Sequence, residues 1–303
     1  MVNLKGRSVA ERAKALIGLA HPDDLEKLGR EAREPRIVPP HFLWQGRLTP
    51  RACGRKSAGQ SRRTTMALSA ATKAKLEKIT TATLTTVLLK KGLRNVWMRK
   101  AAPFTPAAQN VRLVGEAFTL RFVPAREDLA TPASWSSPIS TRAAIEAMPE
   151  GAIAVADAMG VTDAGIFGDI LCARLAKRGV TALVTDGAVR DVAGVNGTGL
   201  PVWCAGGAAP PSVAGLTFVS WQEPIGCGGV AVFPGDVVVC DADGCVLIPQ
   251  DMVEAVTEES VEQERLEGWI MTQVEAGLAL PGLYPANAEN KARYEADKAA
   301  GRV

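Results

Sequence analysis

Histidine is almost absent from this chain of 303 residues. The two histidines, His21 and His41, both lie near the N-terminus, so we expect neither Ser-His-Asp nor Cys-His catalysis in the rest of the chain. None of the six cysteines belongs to a CxxC pair, which together with the scarcity of histidine argues against a zinc site. A disulfide framework is also unexpected in a chain of this length without a secretory signal.

Long apolar runs are missing as well, because none approaches the roughly 18 residues that a membrane helix requires. The N-terminal segment carries charges throughout, unlike a secretory signal, and we therefore expect a cytoplasmic protein without a membrane partner. A net charge of +3 is too small to favour nucleic-acid binding. With 47% hydrophobic and 22% charged residues, the composition is that of an ordinary globular protein of one large or two small domains.

The first 65 residues differ from the remainder and are interpreted as an N-terminal extension. Residues 7–33 have the pattern of one or two amphipathic helices. Residues 36–65 are rich in Pro, Arg and Ser without periodicity, which is typical of a linker or a disordered segment. We predict that residues 66–303 form the folded domain and that this domain includes a long C-terminal helix.

Within that region helical and strand patterns alternate, and strands later pair as a hairpin, which favours an α/β fold with a mixed sheet or a layered β/β/α domain. Helical patterns cover residues 67–92 with Ser69 as the N-cap, 137–151, 168–179 with Gly179 after the last turn, and 252–277. Strand patterns cover residues 111–123 with a bulge expected at Gly115, 152–158, 180–187, and the hairpin of residues 229–252 that turns at Asp241–Gly244.

The sequence GIFGD, at Gly165–Asp169, forms a glycine-bracketed turn that opens the helix predicted for residues 168–179. The first amides of a helix lack intrahelical partners and carry partial positive charge, so this turn suits a carboxylate or a phosphate. The simpler alternative is that Asp169 only caps the helix.

A second polar motif, DGAVRD at residues 186–191, follows a buried strand. Its Asp186-Gly187 pair is expected to turn the chain, and Arg190 and Asp191 lie at a strand's carboxyl end, where open α/β sheets bind ligands. Arginine offers a planar fork for a carboxylate, and aspartate is a hard oxygen ligand for Mg²⁺ or Mn²⁺. A surface ion pair is the simpler alternative, but the two motifs together favour a site for an anionic substrate and a divalent metal.

Other motifs are interpreted as structural. The sequence DADG at residues 241–244 resembles the start of a calcium loop, but Met252 stands where the closing glutamate is required. The sequence GCGG at residues 226–229 lacks the strand-glycine-helix context of a dinucleotide fingerprint. Four tryptophans are expected in the core or in subunit contacts, namely Trp135, Trp203, Trp221 and Trp269.

The stretch Gly168–Asp191, with PVW at residues 201–203 and FPGDVVVCDADGCVLIP at residues 233–249, resembles a known family. That family contains the regulator of RNase activity A (RraA-like proteins) and the 4-hydroxy-4-methyl-2-oxoglutarate/4-carboxy-4-hydroxy-2-oxoadipate aldolases. The resemblance covers about residues 66–285. An aspartate followed after twenty residues by Arg-Asp is typical of the members that are metal-dependent pyruvate aldolases. The resemblance implies an α/β domain of layered β/β/α type with mixed sheets.

The resemblance also implies residue roles. Asp191 would bind the divalent metal, Mg²⁺ or Mn²⁺, and Asp169 would hold water of the metal shell. Arg190 would bind the pyruvyl oxygens of the substrate and, with the metal, stabilise the pyruvate enolate. The substrate carboxylate would be bound by the amides of the first helical turn, those of Gly168, Asp169, Ile170 and Leu171.

The implied activity is release of pyruvate from a 4-hydroxy-2-oxo acid, with oxaloacetate decarboxylation as a second activity that passes through the same enolate. The alternative is a non-catalytic protein that binds and inhibits a ribonuclease, but the intact Arg190-Asp191 pair favours the enzyme. A methyltransferase is disfavoured because no glycine-rich nucleotide loop follows an early strand.

Family members form homotrimers, or hexamers made of trimers, with the site between subunits. A carboxylate of the neighbouring subunit contributes there, and Glu223 and Asp236 are the candidates. Two features depart from many aldolase members. Gly194 stands where they have an acidic residue, and residues 81–88 lack an early aspartate.

Overall fold

The computed structural model describes residues 68–303. The helices predicted within residues 7–33, and the linker predicted for residues 36–65, lie outside the described residues. The domain boundary near Met66 therefore stays a prediction.

Strands of the described region form one large mixed sheet and one small parallel pair. They are β1 (Ala102–Pro103), β2 (Leu113–Pro124), β3 (Ile153–Asp157), β4 (Ala182–Thr185), β5 (Ala188–Val189), β6 (Val202–Cys204), β7 (Gly206–Gly207), β8 (Leu216–Trp221), β9 (Val237–Asp241) and β10 (Gly244–Ile248). The large sheet has the order β1-β6-β4-β3-β2-β9-β10, with β8 also paired to β2. The pairs β2/β3, β3/β4 and β4/β6 are parallel and the other pairs of this sheet are antiparallel, so the predicted mixed sheet is confirmed.

The two edges of the large sheet approach each other. Just before β1, Trp97 forms a bridge with Val246 of β10, and the Met98 amide donates to the Cys245 carbonyl at 2.9 Å. The sheet is therefore nearly closed. Its inner side is filled by buried side chains such as Met98, Ile153 and Trp203.

The described region contains seven α-helices. They are α1 (Ala70–Leu76), α2 (Thr81–Lys90), α3 (Thr141–Ala147), α4 (Asp169–Lys177), α5 (Val192–Gly197), α6 (Val253–Glu275) and α7 (Ala288–Ala299). Buried residues of α3, α4 and α5 share a core with β2, β3 and β4, while those of α1, α2 and α6 share another with β9 and β10. This layering gives the expected β/β/α arrangement. No helix of residues 68–303 is long and apolar enough to cross a membrane.

The single helix predicted for residues 67–92 is wrong, because the structure has two helices there. Ser69 caps α1 as predicted, accepting a hydrogen bond from the Thr72 amide at 3.0 Å. Thr80 caps a second helix by accepting from the Thr83 amide at 3.1 Å, and its own amide donates to Glu264 of α6 at 2.7 Å. A local cap and a distant carboxylate together outweigh the continuous apolar pattern.

The bulge predicted at Gly115 is also wrong. Gly115 pairs with Val238 in regular register, and the irregularity of β2 lies between Arg121 and Phe122. Glycine is required for a different reason, since a Cβ added at Gly115 would lie 2.7 Å from the Gly151 carbonyl oxygen.

Two of the four tryptophans lie in the core, as expected. Trp203 is fully buried and its indole N–H donates to the Asp241 carbonyl at 2.8 Å. Trp269 of α6 is buried against Tyr294 of α7, and its indole donates to Asp297 at 2.7 Å. Helix α7 was not predicted from the sequence, and these contacts explain how so polar a helix is held.

Candidate functional site

The two motifs singled out in the sequence meet through backbone hydrogen bonds. The Ile166 amide donates to the Ala188 carbonyl at 2.9 Å, and the Arg190 amide donates to the Phe167 carbonyl at 2.8 Å. The GIFGD turn thus runs parallel to β5. The intervening residues form α4 and β4, which return the chain to the same edge of the domain.

Both glycines of the GIFGD turn are explained by this approach. A Cβ added at Gly165 would lie 2.7 Å from Cβ of Arg190, and one added at Gly168 would lie 2.6 Å from Oδ2 of Asp191. Both distances are far below normal contact, so any larger residue would push Arg190 or Asp191 away from the turn. The glycines bring Asp169 and the Arg190-Asp191 pair together.

Asp191 adopts a conformation that is rare for residues other than glycine. Its φ of 52° and ψ of 47° lie in the left-handed region, directly before α5. The Arg190 Nε atom donates to Asp191 Oδ2 at 3.0 Å, and the two side chains are 36% and 45% exposed. An ion pair so exposed adds little stability, whereas an unusual backbone conformation must be stabilised by its surroundings. Stability alone therefore does not account for this pair.

Asp169 does not act as the N-cap of α4. The cap position is Gly168, and Asp169 is the first helical residue, with its Oδ1 accepting from the Ile170 amide at 2.7 Å. One of the four amides predicted to bind the substrate carboxylate is thus paired with Asp169. The helix dipole also stabilises the negative charge of Asp169 in this first turn.

Gly194 of α5 lies directly against Asp169, a contact that the sequence analysis missed. A Cβ added at Gly194 would lie 2.6 Å from Cβ of Asp169 and 2.7 Å from its Oδ2. The residue that departs from many aldolase members therefore makes room for Asp169. The departure itself was the only signal in the sequence, and its meaning depended on how α4 and α5 pack.

The donor chemistry of this edge fits a hard divalent cation. Asp169 and Asp191 offer carboxylate oxygens, and residues 68–303 contain no group of three His, Cys, Asp or Glu side chains that could hold a metal. Mg²⁺ is commonly held by one or two carboxylates while it keeps several water ligands. Asp191 and Asp169 thus suit Mg²⁺ or Mn²⁺ better than zinc, which prefers nitrogen and sulfur.

The two candidates for the carboxylate of a neighbouring subunit have different surroundings. Asp236 is only 2% exposed and accepts from the amides of Phe233 and Gln250, so it holds a turn within its own chain. We therefore withdraw it as a candidate. Glu223 is exposed and lies 3.6 Å from Arg121, and it stays a candidate.

Asp186, at the start of the second motif, does not join the site. It is 4% exposed and accepts from the amides of Ala158 at 2.9 Å and Gly228 at 3.1 Å. Burial raises the pKa of this carboxyl above its ordinary value. Asp186 therefore has a structural role at the end of β4.

The cysteines of the described region offer no second site. All five cysteines of the described region are free and buried, and burial raises the pKa of the Cys172 thiol to about 12. Thiols of this kind are poor nucleophiles at neutral pH.

The family model RraA-like, described as Aldolase/RraA, matches residues 80–247. The matched region is more than half of the chain and includes Asp169, Arg190 and Asp191. The chain belongs to the RraA-like family.

Relatives of this RraA-like chain include a putative 4-hydroxy-4-methyl-2-oxoglutarate aldolase of Halalkalibacterium halodurans. It is 32% identical over 160 residues, which cover 52% of this chain and 70% of that protein. Protein DlpA of Legionella pneumophila is 27% identical over 175 residues, or 58% of this chain. The match spans only 28% of the length of the Legionella protein.

Solved structures confirm the RraA-like fold. An uncharacterised protein of Pseudomonas syringae has a TM-score of 0.61 at 24% identity, covering 72% of this chain and 98% of that one. Streptomyces coelicolor RraAS2 is described as an unusual member of the RNase ES inhibitor RraA protein family. It has a TM-score of 0.59 at 28% identity, covering 67% of this chain and 96% of that one.

Proposed function

We propose that this RraA-like protein is a divalent-metal-dependent lyase that releases pyruvate from 4-hydroxy-2-oxo acids and also decarboxylates oxaloacetate. The observation that carries the proposal is the meeting of Asp169, Arg190 and Asp191 at one exposed edge, where two glycines allow the approach. The similarity to a putative aldolase supports the same chemistry.

The residues of this edge would act on the pyruvyl half of the substrate. Asp191 and, through water, Asp169 would hold Mg²⁺ or Mn²⁺, and the bound cation would supply Lewis-acid stabilisation of negative charge on the 2-oxo oxygen. Arg190 would orient the pyruvyl oxygens with its guanidinium fork and meet the charge that develops on them. Free amides at the start of α4 would bind the carboxylate.

The reaction balances without a redox partner. The C3–C4 bond breaks, its electron pair passes to the pyruvyl half as the enolate, and the 4-hydroxyl loses its proton as C4 becomes a carbonyl. Asp169, through a water, would accept that proton, and protonation at C3 would then give pyruvate. In oxaloacetate the same bond breaks with loss of carbon dioxide, so one site serves both reactions.

The direct test is to incubate purified full-length protein with Mg²⁺, oxaloacetate and a panel of 4-hydroxy-2-oxo acids, and to follow pyruvate release. We expect activity that EDTA abolishes and that Mg²⁺ or Mn²⁺ restores. Full activity in a metal-free preparation would refute the metal-dependent mechanism.

We also propose that the active form is a homotrimer, or a hexamer of trimers, with a carboxylate such as Glu223 reaching a neighbouring site. Light scattering during the activity assay tests this, and a stable, active monomer would contradict it. If no 2-oxo acid is cleaved, the ribonuclease alternative gains support from the similarity to Streptomyces coelicolor RraAS2. Binding and inhibition of a ribonuclease would then be measured.

A further inference from the structure

A cleft adjoins the first turn of α4, beside the site described above. It has a volume of about 530 Å³ and lies between α4, α3 and the segment before α3. Its lining includes Trp135, Arg142, Ile145, Ile170, Leu171 and Arg174. Ile170 directly follows Asp169 in the chain, so the cleft and the candidate site share the first turn of α4.

We propose that this cleft binds the substituent on C4 of the substrate and that Arg142 selects substituents that end in a carboxylate. The proposal rests on the lyase function argued above. It assigns a specificity-determining residue and a class of substrate: 4-hydroxy-2-oxo acids whose C4 substituent has at least two methylene carbons before a terminal carboxylate.

The floor of the cleft is apolar. Ile170 is 79% exposed although it lies in the first turn of α4, and Leu171 and Ile145 line the cleft beside it. An apolar side chain so exposed becomes favourable when a ligand covers it, at about 25 cal/mol per Å² removed from water. This favours carbon atoms over hydroxyl groups next to C4.

The charge of the cleft is positive. Arg174 donates to Glu146 through Nε at 2.8 Å and Nη2 at 2.7 Å, and hydrogen bonding from Arg174 holds the pKa of Glu146 below its ordinary value. Arg178 shares the same carboxylate at 3.2 Å. The Glu146 carboxylate is therefore already paired with both Arg174 and Arg178.

Arg142 is the other arginine that lines the cleft. Its guanidinium carbon lies 5.1 Å from the centre of the Trp135 ring, and it forms no ion pair within residues 68–303. The indole face orients the guanidinium without neutralising it. An exposed, oriented guanidinium is suited to bind a carboxylate through two hydrogen bonds.

The length of the cleft suggests the length of the substituent. Ile170 and Arg174 are one helical turn apart on the same face of α4, about 6 Å along the axis. A substituent that begins beside Asp169 and follows this face of α4 passes over Ile170, which favours apolar carbons before a terminal carboxylate, and Arg142 lines the same cleft. In oxaloacetate C4 is itself the carboxyl group that is lost, so no substituent enters the cleft and this substrate reports on the pyruvyl site alone.

The test compares 4-hydroxy-2-oxoheptanedioate with 4-hydroxy-2-oxoheptanoate, which differ in the terminal carboxylate, and includes oxaloacetate. For the parent protein we expect kcat/KM to favour the diacid by about 10- to 100-fold, the range for a hydrogen bond to a charged group. In Arg142→Met the ratio of kcat/KM for the diacid to kcat/KM for oxaloacetate should fall by a similar factor. Arg126→Met is the matched control, since Arg126 is an exposed arginine paired with Asp128 outside this cleft, and it should leave the ratio unchanged.

The other possible outcomes distinguish failure of the cleft proposal from failure of the lyase function. If the parent releases pyruvate from oxaloacetate but shows no preference for the diacid, or if Arg142→Met keeps that preference, the cleft proposal is overturned and the lyase function stands. A change of oligomeric state in Arg142→Met, seen by light scattering, would make the cleft a subunit interface and also overturn it. A parent that cleaves none of the three compounds refutes both proposals.

Discussion

Two pairs of aspartates in this domain have the same side-chain chemistry and opposite surroundings. Asp157 is the last residue of β3 and Asp186 follows the neighbouring parallel strand β4. Both carboxylates accept backbone amides, including those of Gly226 and Gly228. Asp169 and Asp191 lie on the edge beside β5, where Asp191 is exposed and accepts from its own neighbour Arg190.

The difference shows that a position after a parallel strand does not identify a functional carboxylate. The first pair uses its acceptors to tie two glycine-containing turns to the sheet, so little capacity remains for a ligand. In the second pair Asp191 is exposed beside an arginine, and Asp169 is half-buried and accepts from the next amide of its own helix. A structural aspartate is therefore recognised by the backbone amides that its carboxylate already accepts, and less by its position after a strand.

The largest expected effect is on the structural pair. Asp186→Ala leaves the amides of Ala158 and Gly228 without their acceptor, and each unsatisfied buried donor costs about 1–3 kcal/mol. We expect the free energy of unfolding to fall by about 2–6 kcal/mol, measured by urea denaturation. Asp191→Asn is the control and should stay within about 0.5 kcal/mol of the parent, because its side chain is exposed and Asn tolerates the left-handed conformation. Equal losses in both variants would remove the distinction between the pairs.

The next effect concerns turnover at the candidate site. Arg190→Lys keeps the charge but loses the planar fork, and loss of a preorganised donor to an oxyanion lowers turnover roughly 10²- to 10³-fold. The kcat for oxaloacetate decarboxylation measures this. Near-normal turnover on every 2-oxo acid that the parent cleaves would mean that the site is misassigned.

Asp191→Asn separates metal binding from substrate binding at the same edge. The change keeps the shape of the side chain and removes the anionic metal ligand, so part of the defect should be recovered at high Mg²⁺. The Arg190→Lys defect should not respond to Mg²⁺. A titration of activity against Mg²⁺ for both variants checks this, and identical metal responses would argue against the separate roles.

A smaller effect is expected from Gly194→Ala. The new Cβ would lie 2.6 Å from Cβ of Asp169, which is anchored to the backbone of α4, so α5 or Asp169 must shift. We expect kcat to fall less than in Arg190→Lys, while the clash lowers the free energy of unfolding by about 1–3 kcal/mol. Gly197→Ala in the same helix is the control, because a Cβ there meets nothing within 4 Å. Equal kcat values for the two variants would show that the contact with Asp169 does not matter.

The smallest expected effect is a pH dependence from Asp186. Burial raises the pKa of this carboxyl in the folded state, so the folded protein binds the proton more tightly than the unfolded chain. The stability gained from protonated Asp186 is fully present below the unfolded pKa of about 3.9 and is lost as the pH rises through the folded pKa. The difference in unfolding free energy between the parent and Asp186→Ala should therefore be larger near pH 4 than at neutral pH. A difference that grows with pH would contradict this assignment.

Local patterns in the sequence were sufficient for much of the domain. The strands β3, β4, β9 and β10 were predicted from short apolar runs bounded by turn residues. Helix α4 was predicted from its periodicity and from Gly179, which follows its last turn and has a φ of 73°. The polar motifs around Asp169 and Arg190 were visible for the same reason, since each combines turn residues with charged side chains at the end of a predictable element.

Tertiary contacts decided the rest, because they join residues that are far apart in the chain. Glu264 of α6 helps to divide the helix predicted for residues 67–92, and Trp269 and Asp297 hold a helix too polar to be predicted. Only the packing of α4 against α5 explains Gly194, and only the backbone pairing beside β5 brings Asp169 to Arg190 and Asp191. A sequence pattern reports the preferences of neighbouring residues, whereas the use of a carboxylate depends on which distant donors reach it in the folded chain.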